Sequence, residues 1–184
     1  MQTPQNILRA IAGESMARNK YTNFASKAIK EGYEQIAAIF TETADNEKEH
    51  AKRLMKLLKG GEISSLGSFD FPTVKSTRDN LLVAAAGENY EHSKMYPEFA
   101  KEAKKEGFKE AYHVFTEIGE VEVHHEKRYL KLAKNIKDGL VFKRSKSVFW
   151  KCRNCGYVYH GQSAPKVCPA CAHPQSYYEL QCEN

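Results

Sequence analysis

The chain repeats itself, and the repeat carries charge into positions where a helix should be apolar. The segment EGYEQIAAIFTETADNEKEHAKRLMKLLK at 31–59 aligns with EGFKEAYHVFTEIGEVEVHHEKRYLKLAK at 106–134 at a constant offset of 75, and AIAGE at 10–14 aligns with AAAGE at 84–88 at an offset of 74. A duplicated unit this long is a pair of helices rather than a short solenoid repeat. Helix signals place the first helix from Thr3-Pro4, with Thr3 as cap, to Glu31-Gly32, and the second from Tyr33 to about Lys59, before Gly60-Gly61. The third covers about 77–105 and the fourth about 108–138, with a long polar connection over 60–76. Two tight links and one long crossover specify a four-helix bundle built of two helical hairpins.

The second helix shows what the bundle encloses. Its inward stripe reads Ile36, Phe40, Thr43, Glu47, His50, Leu54, Leu57, and that of the fourth helix reads Ala111, Phe115, Ile118, Glu122, His125, Tyr129, Leu132. The alternating steps of four and three are those of a core-facing helix. In each stripe a Glu and a His, three residues apart and therefore side by side, stand where leucines belong. Glu14 and Glu88 occupy matching places one helix earlier, so four helices direct four carboxylates and two imidazoles at one region of the core. Burying even one unpaired carboxylate costs several kcal/mol, and four would repel one another. Metal cations remove the conflict. One Glu from each of two helices plus Glu-x-x-His from the other two is the ligand pattern of ferritin-like di-iron and di-manganese bundles.

The repeat also breaks once. Where the first helix has Ala17, the third has Glu91, three residues after Glu88 and on the same face. It adds a fifth carboxylate to one side of the site. Five Glu with two neutral His carry −5, which two Fe(II), or two Fe(III) with one oxide, bring to −1. By helical phase Glu49, Glu120, His92 and His124 fall off the stripe and are expected in solvent or around the ligands.

All five cysteines lie after residue 151. Cys152, Cys155, Cys168 and Cys171 form C-x2-C-x12-C-x2-C, the paired knuckles of a four-thiolate tetrahedral site for zinc or iron, and Cys182 is expected to be a free thiol. Residues 140–184 hold six Lys or Arg against two acidic residues, +4 of the chain's net +5, a charge that four metal-bound thiolates would partly offset. The divisions expected are a bundle over 1–139, a linker over 140–147 and a metal ribbon over 148–184. No apolar run reaches membrane length and the first residues carry no signal pattern, so a cytoplasmic protein is expected, with no membrane contact.

With both motifs in place, the chain resembles the rubrerythrin family over essentially its whole length: a ferritin-like di-iron bundle followed by CRNCGYVY…CPACA, which resembles rubredoxin. The resemblance implies Glu14, Glu47, His50, Glu88, Glu91, Glu122 and His125 as di-iron ligands, with Glu47 and Glu122 bridging, and the four knuckle cysteines as ligands of a third iron. It implies that Glu91 and His50 exchange at one iron with redox state, and that Tyr21 and Tyr96 hydrogen-bond the carboxylates. The implied activity is reduction of hydrogen peroxide to water with two electrons and two protons. The implied electron source is NAD(P)H through a separate reductase or a rubredoxin, since the chain has no G-x-G-x-x-G loop.

Fourteen residues separate His125 from Gly139, about 21 Å of helix, so a head-to-tail homodimer is expected to bring one chain's thiolate site near its partner's di-iron site. An iron-oxidising or iron-storing bundle shares the carboxylates but needs no electron-delivery ribbon. A nucleic-acid-binding zinc ribbon is disfavoured by the modest charge. A purely structural manganese or zinc bundle would not call for so many buried Glu and His.

Overall fold

The computed structural model describes residues 1–60 and 72–182. Five helices follow in order: α1 (Thr3–Lys30), α2 (Glu34–Met55), α3 (Thr77–Tyr90), α4 (Tyr96–Lys105) and α5 (Lys109–Lys137). Helices α3 and α4 form one rod, joined through a π-helical turn at Glu91–Met95. The chain is thus mainly helical, a four-rod bundle of two hairpins, α1/α2 and α3–α4/α5. The crossover expected over 60–76 lies for the most part outside the described residues. The second helix ends at Met55, four residues before the expected stop.

The π turn falls where uninterrupted α-helix is expected, and the repeat explains it. From Glu14 to Tyr21 is seven residues, whereas from Glu88 to its matching Tyr96 is eight. A π turn accommodates one extra residue within a helix and keeps both ends on the same face. The amide of Tyr96 bonds the Glu91 carbonyl, five residues back. The Ser93 hydroxyl donates to the Asn89 carbonyl at 2.5 Å.

Both hairpin turns contribute a carboxylate to the opposite hairpin. Glu106 accepts from the amides of Gln2 (2.7 Å) and Thr3 (2.9 Å) and from the Thr3 hydroxyl (2.7 Å). Its counterpart Glu31 accepts from the Thr77 amide at 2.8 Å. Each satisfies amide donors at a helix start, where no intrahelical partner exists. Thr3 is therefore not the cap: it is the first helical residue, and Glu106 supplies the acceptor from across the bundle. Gly32 and Gly107, at φ +78° and +81°, end α1 and α4 in the left-handed conformation that glycine adopts without steric cost.

The apolar core is in two pieces. One gathers Tyr21, Phe24, Ile36, Phe40, Leu81 and Tyr129, and the other Ile7, Leu54, Tyr96, Val114, Phe115 and Ile118. Between them lies a polar belt holding the paired Glu and His.

The C-terminal ribbon is a three-stranded antiparallel sheet, ordered β2 (Val158–Ser163), β1 (Lys143–Cys152), β3 (Tyr178–Leu180). Strand β1 starts at Lys143, so residues 143–147, expected as linker, belong to the sheet. The pairing slips between Lys143↔Ser163 and Val148↔Gly161, a bulge that hides the strand's true start in a polar RSKS stretch. The ribbon meets the α1/α2 turn through Tyr33 and Phe142, stacked at 6.3 Å and 7°.

Candidate metal centres

The polar belt is built by four helices. Glu14, Glu47, Glu88 and Glu122 are each at most 1% exposed and His125 is 4% exposed, while His50 is half-buried. Their donor atoms fall into two quartets, each within 4.8 Å: Glu14, Glu47, His50, Glu122, and Glu47, Glu88, Glu122, His125. Glu47 and Glu122 belong to both. The Nδ1 of His50 lies 2.9 Å from Glu47 Oε2 and 3.1 Å from Glu122 Oε1, and that of His125 lies 2.7 Å from Glu122 Oε2 and 3.4 Å from Glu47 Oε1.

These contacts are close but not oriented as hydrogen bonds. Both Nδ1 atoms, both oxygens of Glu47 and of Glu122, and one oxygen each of Glu14 and Glu88 are buried without a hydrogen-bond partner. Orphaned buried polar atoms are rare in folded proteins. Eight of them converging on two points are a donor set for two cations. The protein groups alone settle the charge only by sharing protons. Burial and neighbouring carboxylates push Glu14 up to about 8 and Glu88 up to about 7. Glu47 is drawn down to about 2, its burial outweighed by His125 and His50. His125 rises to about 11, its burial outweighed by Glu122 and Glu47.

Two tyrosines hold the outer carboxylates in a crossed pattern. Tyr21 on α1 donates to Glu88 on α3, and its repeat counterpart Tyr96 on α4 donates to Glu14 on α1. Gly119 lets Tyr96 approach α5: a Cβ there would lie 3.3 Å from Tyr96 Cβ.

Glu91 stands apart. It belongs to neither quartet and is only half-buried, at the first position of the π turn. Among the described residues it lines a groove of about 1240 Å³ between α1 and α3, which none of the quartet residues lines. Its enclosure and the carboxylates of Glu88 and Glu14 push its pKa well above the usual range.

His92, expected off the stripe, is half-buried and pairs with Glu126 Oε2 at 2.6 Å, while Asn89 donates to Glu126 Oε1 at 3.1 Å. Glu126 thereby ties the π turn to α5. Glu49, Glu120 and His124 are exposed, and Glu49 pairs with Lys52.

In the ribbon the four knuckle sulfurs come together, Cys152 to Cys171 at 3.8 Å and Cys155 to Cys168 at 3.7 Å. The knuckles are local copies of one another. Gly156 N bonds Cys152 O at 2.8 Å and Ala172 N bonds Cys168 O at 2.9 Å, and both residues adopt positive φ, +79° and +58°. The His173 amide is the leading cause that draws the Cys171 thiol down to about 6. Cys182 is exposed and apart from this cluster.

A four-rod bundle with two carboxylate–histidine quartets sharing two glutamates, followed by a four-thiolate ribbon, defines a ferritin-like di-iron protein fused to a rubredoxin-like domain. Comparison with known proteins makes the assignment narrower. The rubrerythrin family model matches residues 5–133, and the rubrerythrin rubredoxin-like domain matches 150–179. The chain belongs to the rubrerythrin family. It is 54% identical to a rubrerythrin of Porphyromonas gingivalis, over 97% of this chain and 89% of that one. It is 51% identical to a rubrerythrin of Nitratidesulfovibrio vulgaris, over 97% and 94%. The solved structure of a fully reduced, all-ferrous nigerythrin superposes with a TM-score of 0.67 at 36% identity, covering 97% of this chain and 86% of that one. Family and donor chemistry together make iron the cofactor of both centres, and the protein an oxidoreductase. Among the described residues no helix is long and apolar enough to cross a membrane.

Proposed function

We propose that the chain reduces hydrogen peroxide to water at the bundle site and is re-reduced through the four-cysteine ribbon by an NAD(P)H-dependent reductase or a rubredoxin. The observation that carries this reading is the presence, on one chain, of two quartets sharing Glu47 and Glu122 and of a separate four-thiolate centre suited to one-electron entry. An iron-storing bundle has no use for the second.

Two adjacent irons would supply two electrons at once, which is what cleavage of a peroxide O–O bond requires. The chain's own groups do the rest. Glu47 and Glu122 hold the two positions at a fixed spacing. Tyr21 and Tyr96 fix the outer carboxylates Glu88 and Glu14. Glu91, which lines the groove and whose carboxyl is pushed up, would supply a proton during the reduction and, as the family resemblance implies, exchange with His50 as a ligand. The two pieces of the apolar core flank the belt.

We read the functional unit as a head-to-tail homodimer. The ribbon packs at the α1/α2 turn, about 21 Å of α5 beyond His125, so a partner chain's ribbon is the shorter route for electrons. A monomer with full turnover at micromolar concentration would sink this.

Metal analysis and absorption of the iron-loaded protein, followed by anaerobic reduction and a peroxide pulse, test the function. Ferric–thiolate bands that bleach on reduction and return with one equivalent of peroxide per pair of electrons support it. A bundle that consumes Fe(II) and dioxygen but leaves peroxide untouched favours the ferroxidase alternative.

A further inference from the structure

Tyr178 sits opposite Cys152 in the β1–β3 ladder, so the two side chains share one face of the sheet, the face of the four sulfurs. It is 1% exposed, and its hydroxyl is buried without a conventional hydrogen-bond partner. A buried hydroxyl left unsatisfied is destabilising. Nothing in the bundle site uses it. Tyr178 and Cys168, itself 1% exposed, lie in one buried cluster with Cys152, and Cys168 is the sulfur with which the hydroxyl interacts. A neutral thiol is a weak acceptor, whereas a metal-bound thiolate is a good one. The hydroxyl therefore finds its partner once the ribbon is loaded.

We propose that the Tyr178 hydroxyl donates a hydrogen bond to Cys168 Sγ in the iron-loaded ribbon and so holds that centre's reduction potential above the value four thiolates alone would give. The inference rests on the iron assignment of the ribbon made above. Reduction adds one electron and takes the four-sulfur centre from −1 to −2. No bond breaks, and the phenolic proton stays on Tyr178. A donor aimed at sulfur stabilises the more negative state more, and hydrogen bonds to sulfur are among the levers that set such potentials. Tyr178 is thus a positioning and tuning residue for electron entry, not a catalytic one.

The test is a potentiometric titration of the full-length, iron-loaded protein, followed by its ferric–thiolate absorption. Tyr178→Phe keeps the ring and removes the donor. It should shift the reduction equilibrium about tenfold toward the oxidised form, about 59 mV for one electron. Tyr177→Phe, which removes the neighbouring and less buried hydroxyl, should leave the potential in place. If Tyr178→Phe fails to hold iron, 3-fluorotyrosine at position 178, an isosteric and stronger donor, should raise the potential instead. An unchanged potential in a coloured Tyr178→Phe protein, or an equal fall in Tyr177→Phe, overturns the proposal while leaving the iron assignment intact. A wild-type ribbon that takes up zinc and shows no ferric–thiolate colour overturns the assignment itself.

Discussion

Tyr21 on α1 donates its hydroxyl to Glu88 on α3, reaching across the bundle to the carboxylate that belongs to the other half of the repeat. Tyr96 does the same in reverse with Glu14. Each outer ligand is therefore oriented by the hairpin it does not come from. Removing the donor in Tyr96→Phe leaves Glu14 short of its one oriented partner, a loss of about 1–3 kcal/mol. The expected result is about a 10- to 100-fold faster loss of iron to a chelator from the site nearer Glu14. Competition kinetics measure it, with the same result expected for Tyr21→Phe at the site nearer Glu88.

The shared and unshared glutamates separate by stoichiometry. Glu122 serves both quartets and Glu14 only one. Glu122→Gln should abolish binding of the pair, whereas Glu14→Gln should retain one iron in the bundle. Iron analysis, with the ribbon's iron counted separately by its colour, distinguishes them.

Glu91 lies outside both quartets, so Glu91→Ala should still load two irons when reduced. Its peroxide turnover should fall by about 10²-fold or more, the contribution typical of a placed proton donor. Stopped-flow oxidation of the pre-reduced protein gives the rate.

Metal removal should make stability fall with rising pH. His125 is raised from 6.5 to about 11 in the folded, metal-free chain, so its contribution is full below about 6.5 and is lost as pH climbs toward 11. Glu14, raised from 4.5 to about 8, binds its proton more tightly when folded and acts in the same direction. Glu47, lowered to about 2, acts oppositely, but only below about pH 4.5. Thermal unfolding of the metal-free protein should therefore show a declining midpoint from pH 6 to 10. The iron-loaded protein, with these protons displaced, should not show it, and loading near neutral pH should release protons. Iron present at 1,000 times its Kd adds about 4 kcal/mol.

Glu106 sets the acid flank. Its pKa is held down at about 2 by the Thr3 hydroxyl and the Thr3 and Gln2 amides. A carboxylate lowered on folding contributes stability above about pH 4.5 and loses it as pH falls toward 2. Glu106→Gln should flatten the melting temperature between pH 2 and 5 and lower it at pH 7.

The stripe periodicity makes four of the quartet residues readable, because a Glu and a His buried side by side at helical spacing, in two helices at once, need cations to balance them, and the repeat adds Glu14 and Glu88. The cysteine knuckles are readable because four thiols at that spacing can close on one ion. The π turn is also written in the sequence, in the extra residue between Glu88 and Tyr96, but it emerges only when the two halves are measured against each other. Phase counted through an uninterrupted helix puts His92 off the stripe, in solvent or around the ligands, and hides its pairing with Glu126. The role of Glu31 and Glu106 is not legible at all: repetition marks them, but their partners are on the far hairpin. Strand β1 reads short because its first half is polar and bulged.

Glu31 accepts from Thr77 and Glu106 from Thr3, each across to the opposite hairpin. Each half of the duplication is left open at its leading end and is closed by the other, like a clasp whose two hooks are mounted on opposite leaves. Neither half is a finished folding unit. The metal belt, like the clasp, draws its members from both halves. The hooks are unequal, for Glu106 takes three donors and Glu31 one, so the clasp holds more firmly at the Thr3 end than at the Thr77 end.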